Sequence, residues 1–168
     1  MSRFSLLLFP ALVLSAQDSA IPRAVEVRAG VFVLRGTPDE DTCQAMKRQK
    51  ISHVIDLRRD EEPNLTCQSE STRLADLGIQ YMRYAIGRAP LDSDFDFLRM
   101  LIREMPKGSR VLVHCADGNR AAAAVCPWLV LELGMPMAEA MRLADTAGLR
   151  LPDTEAALRR YLARHGKA

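Results

Sequence analysis

The chain reads as an α/β protein: a single domain with a mostly parallel central sheet and helices on both faces. Three observations predict this. Short apolar runs rich in Val and Ile alternate with longer stretches of helical periodicity, the order of a layered α/β fold. Runs such as Val111-Leu112-Val113 are apolar at successive positions, as strands covered on both faces must be. With 168 residues, 48% of them hydrophobic and 26% charged, the chain has the size and composition of one globular core.

The elements follow in order. Met1-Ser2-Arg3 precedes an apolar run over residues 4–14, broken only by Ser5 and Pro10, then small Ser15 and Ala16 and polar Gln17-Asp18-Ser19. This order predicts a signal peptide over residues 1–16 and a periplasmic or secreted protein, cytoplasmic if the segment is not a signal. The run is too short to span a bilayer, so no stable membrane association is expected after its removal. The folded domain is expected over residues 24–166. Residues 25–35 offer one or two short strands with Gly30 as the break. Thr37-Pro38-Asp39-Glu40 reads as a helix start, with Thr37 as cap and Pro38 in the first helical position. That helix runs to about residue 50 and a strand follows over residues 51–57. A polar loop with Pro63 leads to a helix over residues 69–77, and a strand over residues 80–86 comes next. Ser93-x-x-Asp96 opens a helix whose stripe of Phe97, Leu98, Leu101, Ile102 and Met105 stops before Pro106-Lys107-Gly108. The central strand spans residues 110–114, and helices over residues 120–133, 137–146 and 153–164 close the chain. Pro127 falls inside the first of these and is expected to kink it. Met135, Met137 and Met141 read as core filler, and Trp128 as packed on the sheet.

Composition also excludes functions. A net charge of +2 and 5% aromatic residues give no basic tract and few stacking platforms, so no nucleic-acid partner is expected. No group of residues has metal-ligand spacing, and no cofactor is expected.

The stretch His114-Cys115-Ala116-Asp117-Gly118-Asn119-Arg120 carries the chemistry. It follows the apolar run at 111–113 and opens the alanine-rich segment at 121–124. A cysteine at a strand end, a glycine-containing loop and an arginine entering a helix make an anion cradle around a nucleophile. The loop N–H groups and the helix N-terminus converge on one spot and favour negative charge there. That field is expected to lower the Cys115 pKa and supply thiolate near neutral pH. The planar fork of Arg120 matches two oxygens of a tetrahedral oxyanion.

Strand-His-Cys-loop-Arg-helix resembles the cysteine-dependent protein tyrosine and dual-specificity phosphatases, above all small bacterial phosphatase-like proteins with a Gly-Asn-Arg loop. The resemblance covers roughly residues 31–150. Gly36-Thr37-Pro38 stands before a helix, residues 51–58 match the second core strand, and residues 80–86 match the strand before the variable acid loop. It implies a phosphatase-like fold and hydrolysis of phosphate monoesters through a phosphocysteine. The implied partner is a phosphorylated protein, at phosphotyrosine or phosphoserine, or a small phosphate ester. Cys115 is implied as nucleophile and Arg120 as the ligand of the phosphoryl oxygens. His114 would hold the thiolate's surroundings and Gly118 would let the backbone curl. Ala116, Asp117 and Asn119 complete the substrate-binding loop.

The chain departs from the family in three places. Four residues separate Cys115 from Arg120 where the phosphatases usually have five, a spacing shared with rhodanese-like sulfurtransferases. Ala121 stands where the phosphatases carry Ser or Thr. Asp117 puts a carboxylate in the cradle. It repels a phosphate dianion unless protonated or turned outward, serves as general acid if protonated, or makes an Asx-type bond to the loop. By alignment the usual acid falls near Gly87 or Arg88, neither of them acidic. Asp92 is the nearest candidate, but Asp92, Asp94 and Asp96 also suit the N-terminus of the next helix. Glu61 and Glu62 are weaker candidates for the acid and otherwise read as solvated, and Arg88 as an exposed side chain or a second anion contact at the mouth. Three readings therefore stand: a phosphatase, a sulfurtransferase carrying a Cys115 persulfide, or a phosphate-binding module without turnover.

The cysteines add one expectation. Cys126 lies roughly 9 Å along the helix beyond Arg120 and reads as a small buried residue. Cys67 either pairs reversibly with Cys115 or forms a structural bridge with Cys43.

Overall fold

The sheet is built around the strand that ends at the cysteine loop. In a computed structural model describing residues 20–62 and 67–166, β1 (Ala24–Arg28) and β2 (Val31–Leu34) form an antiparallel pair joined through Gly30. Chain order continues with α1 (Glu40–Arg48), β3 (His53–Asp56), α2 (Cys67–Asp76), β4 (Gln80–Arg83), α3 (Asp92–Arg103) and β5 (Val111–His114). The helices α4 (Asn119–Pro127), α5 (Met137–Ala147) and α6 (Pro152–His165) follow. The strand order is β1-β2-β5-β3-β4, and β5 pairs in parallel with β2 on one side and β3 on the other. The predicted signal peptide and Pro63 lie outside the described residues. Among those residues, no helix is long and apolar enough to cross a membrane.

Alternation along the strands divides the core in two. Val31 and Val33 of β2, Ile55 of β3 and Val111 and Val113 of β5 face the α3–α6 side, with Phe95, Leu98, Leu158 and Tyr161. Phe32, Leu34, Val54 and Leu112 face the α1–α2 side, with Cys43, Met46 and Leu74. Each face of β5 is fully buried, which is why its sequence is continuously apolar rather than alternating. The last β5 residue, His114, is therefore directed to the α1–α2 side, and Cys115 to the other.

Several local expectations need correction. The α1 cap is Asp39, not Thr37: its Oδ1 accepts the Thr42 N–H at 2.9 Å, and Arg23 donates to its Oδ2. Helix α3 starts one residue before Ser93, with Asp94 accepting the Leu91 N–H at 2.8 Å. The strand predicted over residues 80–86 ends at Arg83, although the Tyr84 N–H still reaches the Asp56 carbonyl at 2.8 Å. Pro127 is the last residue of α4, so the helix predicted over residues 120–133 changes its winding there. Pro127 lacks an N–H, and the chain passes into a π-helical turn (Trp128–Glu132) in which the Leu133 N–H reaches back to Trp128. Met135 and Met141 are buried as expected, but Met137, in the first turn of α5, is exposed. Trp128 is half-buried against the α3–α6 core.

Candidate active site

Cys115 begins the loop beyond β5, at the carboxyl end of the sheet where the strand order reverses, the usual ligand crevice of an open α/β sheet. Its sulfur is buried and accepts the Gly118 N–H at 3.2 Å. The loop closes this tightly because Gly118 takes φ +91°. A Cβ there would lie 2.9 Å from Arg35 Cγ and 3.0 Å from the Ala147 carbonyl, so only glycine fits. The Asp117 carboxylate turns inward: Oδ1 stands 3.4 Å from the Cys115 sulfur and accepts the Asn119 N–H at 3.0 Å. It thus makes the Asx-type bond and contacts the thiol at once.

Arg120, in the first turn of α4, is pinned from three sides. Its Nη1 donates to the carbonyls of Leu57 at 3.2 Å and Ile86 at 3.0 Å. Both terminal nitrogens are also taken by Glu62, at 2.5 and 2.8 Å. The guanidinium is only 7% exposed and the Glu62 carboxylate 20%. Burial works to raise the Glu62 pKa, but the Arg120 hydrogen bonds, the Arg59 N–H and the charges of Arg120 and Arg58 together bring the group below its ordinary value. Glu62 is therefore not solvated, contrary to expectation.

Asp117, Arg120 and Glu62 line a cavity of about 540 Å³. Ala116, Asp117, Asn119 and Arg120 contribute its floor and one wall; Arg59, Glu61 and Glu62 contribute another. Arg88 and Leu151 complete it. Asn119 lines the cavity but spends its carboxamide on the scaffold. Its Oδ1 accepts the N–H groups of Arg150 and Leu151, and its Nδ2 donates to Thr154 Oγ1 at 2.6 Å. The Thr154 hydroxyl in turn donates to the Arg88 carbonyl.

His114 is not in the cradle. Strand alternation sends its ring behind β5, where Nε2 lies 2.8 Å from Glu70 Oε1 and 3.9 Å from Asp56 Oδ1. The Glu70 contact lies off the hydrogen-bonding direction, so the two buried groups meet without a hydrogen bond. Arg58 stands between the two carboxylates, 2.7 Å from Asp56 and 2.6 Å from Glu70, and Tyr81 donates to Asp56 at 2.7 Å. Asp56, Glu70 and His114 are close enough together to suggest a cation site, but the Arg58 guanidinium already supplies the positive charge. Burial acts to raise the Asp56 pKa. The Arg58 hydrogen bonds, the His114 charge and the Tyr81 hydroxyl overcome it and hold the group far below the usual carboxylate range.

The expected lowering of the Cys115 pKa is also corrected. Burial pushes the thiol up. The N–H groups of the loop and the Arg120 charge pull it down, the Asp117 carboxylate adds a further upward push, and the net shift is upward.

The remaining acids and cysteines stand elsewhere. Asp94 caps the α3 start and accepts from Tyr84, whereas Asp92 pairs with Arg164 at 2.5 Å and Asp96 accepts from Tyr161, both tying α3 to α6. All four cysteines are free. The Cys67 sulfur lies 3.4 Å from Asp56 Oδ2, and Cys43 is buried in the α1–α2 core. Cys126 is buried, and burial raises its pKa to about 12.

No protein-family model matches the sequence, and no curated protein does. Solved structures do. A "Putative phosphatase (DUF442)" from Shewanella putrefaciens superposes with a TM-score of 0.73 at 22% identity, covering 91% of this chain and 100% of that one. The chain has a phosphatase-like fold. PTPMT1 in complex with PI(5)P superposes at 0.68 with 13% identity, over 84% of this chain and 96% of that one. A cysteine-to-serine variant of TpbA from P. aeruginosa in complex with pTyr superposes at 0.65 with 15% identity, over 82% and 83%.

Within this phosphatase-like fold, sequence reasoning missed two residues. Thr154 carried no signal beyond its place near a helix start. Glu62 sits in the charged run Arg58-Arg59-Asp60-Glu61-Glu62, where nothing separates a clasp from a solvated side chain.

Proposed function

We propose that the chain is a cysteine-dependent phosphatase that hydrolyses phosphate monoesters through a phosphocysteine on Cys115. One contact set carries this reading. The Cys115 sulfur meets the Gly118 N–H at 3.2 Å and the Asp117 carboxylate at 3.4 Å, and Asp117 and Arg120 line one cavity.

With its pKa raised, resting Cys115 is a thiol near neutral pH and needs a proton acceptor. Asp117 is in place for that. In the first step the sulfur attacks phosphorus while its proton passes to Asp117. The S–P bond forms, the ester P–O bond breaks, and Asp117 returns the proton to the leaving oxygen. In the second step water attacks the phosphocysteine and gives a proton to Asp117. The S–P bond breaks, phosphate departs, and the proton returns to sulfur. Asp117 so takes the part of the acid that the loop after β4 lacks. Arg120 and the loop N–H groups stabilise the charge on the equatorial oxygens, and the incoming oxyanion displaces Glu62 from the Arg120 fork. The PI(5)P and pTyr complexes of similar folds support phosphorylated molecules as the substrate class.

The test is p-nitrophenyl phosphate turnover by reduced protein beside Cys115→Ser, with acid-quench trapping of a phosphorylated cysteine. Turnover and trapped label that both vanish in the variant support the reading. Equal background rates from pH 5 to 8 overturn it.

A further inference from the structure

We infer that the site selects a small, polar phosphate ester carrying a second anionic group, with Arg88 as the residue that reads it. This rests on the phosphate-ester reading above and adds a substrate class to it.

The first observation is the character of the cavity wall. Among the described residues that line it, Leu151 is the one large apolar side chain and none is aromatic. Sites that hold a ring or an acyl chain are lined mainly by apolar and aromatic side chains. About 540 Å³ is also far more than a phosphoryl group needs, so the rest of the substrate sits among charged groups.

The second observation is how those charges are matched. Arg120 faces Glu62, and Arg59 faces Glu61 at 3.1 Å. Asp117 accepts from the loop backbone. Among the described residues, the Arg88 guanidinium has neither an ion-pair nor a hydrogen-bond partner, and it lines the cavity. It is the positive charge there left for a ligand. A phosphoryl group that takes Arg120 leaves Arg88 free for a second anion, which its planar fork binds through two N–H groups.

The third observation is that Arg88 is positioned by the cradle itself. Arg120 donates to the Ile86 carbonyl. Asn119 holds Thr154, and Thr154 donates to the Arg88 carbonyl. Both ties start from residues adjacent to the anion position, so the backbone that carries Arg88 keeps a fixed place beside it. A side chain merely left in solvent would not require this.

The test compares matched ligands on the full chain. For reduced enzyme, kcat/KM is measured with phenyl phosphate and with 3-carboxyphenyl phosphate, and the ratio is repeated in Arg88→Met. In parallel, inorganic phosphate and pyrophosphate are titrated into the Cys115→Ser protein by calorimetry, with and without Arg88→Met. The expected result is a preference for the second anion of roughly fivefold to tenfold, as for one partly solvated charge-assisted contact, collapsing towards unity without Arg88. Ratios near one in the parent protein, or ratios that survive Arg88→Met, overturn the inference. If neither ester is hydrolysed, the phosphatase reading fails, while the calorimetric ratio still decides whether Arg88 reads a second anion.

Discussion

The Glu62 carboxylate holds both terminal nitrogens of Arg120, with Oε1 2.5 Å from Nη1 and Oε2 2.8 Å from Nη2. A carboxylate and two oxygens of a phosphoryl group offer the same bidentate face to a guanidinium. The resting site therefore keeps its cationic fork oriented and partly desolvated by binding an internal anion, which any substrate must replace.

Replacing Glu62 tests that competition. Glu62→Gln keeps the shape and removes the charge, so the inhibition constant for inorganic phosphate at pH 7 is expected to fall about threefold to tenfold, some 0.7–1.4 kcal/mol. The Glu62 pKa lies below its ordinary 4.5, so the wild-type carboxylate competes throughout the neutral range and releases Arg120 only as pH falls below that value. The advantage of the variant should shrink there. An unchanged or raised inhibition constant at pH 7 contradicts the clasp.

Asp117 should show opposite effects on two readouts. Its carboxylate pushes the Cys115 thiol up, so Asp117→Asn should lower the cysteine pKa and speed alkylation by iodoacetamide at pH 7.5. The same change removes the proton carrier, and kcat should drop by about 10²–10⁴. A variant with faster alkylation and intact turnover would leave Asp117 as a loop-stapling residue only.

Gly118→Ala probes the shape of the loop. A left-handed backbone and contacts under 3.1 Å to Arg35 Cγ and the Ala147 carbonyl leave a methyl group no room. Backbone atoms cannot swing aside as a side-chain end can. The expected cost is about 2–3 kcal/mol, which lowers Tm by roughly 4–12 °C in a domain of this size. Turnover should be lost as well, since the N–H that faces the sulfur moves. Thermal melts beside activity assays check both.

The cluster behind β5 sets the acid limit of the fold. The Asp56 pKa is depressed in the folded state. Its stabilisation is therefore fully present above the unfolded value of about 3.9 and is lost as pH falls through the folded value. Thermal melts should be flat in this contribution from pH 7 to 5 and steepen below about pH 4. Asp56→Asn removes one carboxylate facing Arg58 and should cost about 3–5 kcal/mol at pH 7. A loss under 1 kcal/mol would mean that Glu70 alone satisfies Arg58.

The architecture was legible because its signals are local. Val111-Leu112-Val113 could only be a strand buried on both faces, and the cysteine, glycine and arginine that follow could only make a tight turn into a helix. The misreadings share one cause: each turned on a partner distant in sequence. Thr37 and Asp39 both suit a cap, and Arg23, which donates to Asp39, favours the second. His114 adjoins the nucleophile in sequence, yet strand alternation directs it to Glu70 on the opposite face.

The sequence by itself determined the alternation of strands and helices, the place of the cysteine loop at the end of a buried strand, and the need for glycine at its bend. These follow from backbone sterics and hydrophobic periodicity, which act over a few residues. Only the tertiary structure decided the electrostatics. Cys115 has a raised pKa because folding buries it and sets Asp117 beside it, and Arg120 faces Glu62 because the loop after β3 returns to the mouth of the site. Charge–charge energies depend on separation in space and on solvent exclusion, and neither is written in the order of the residues.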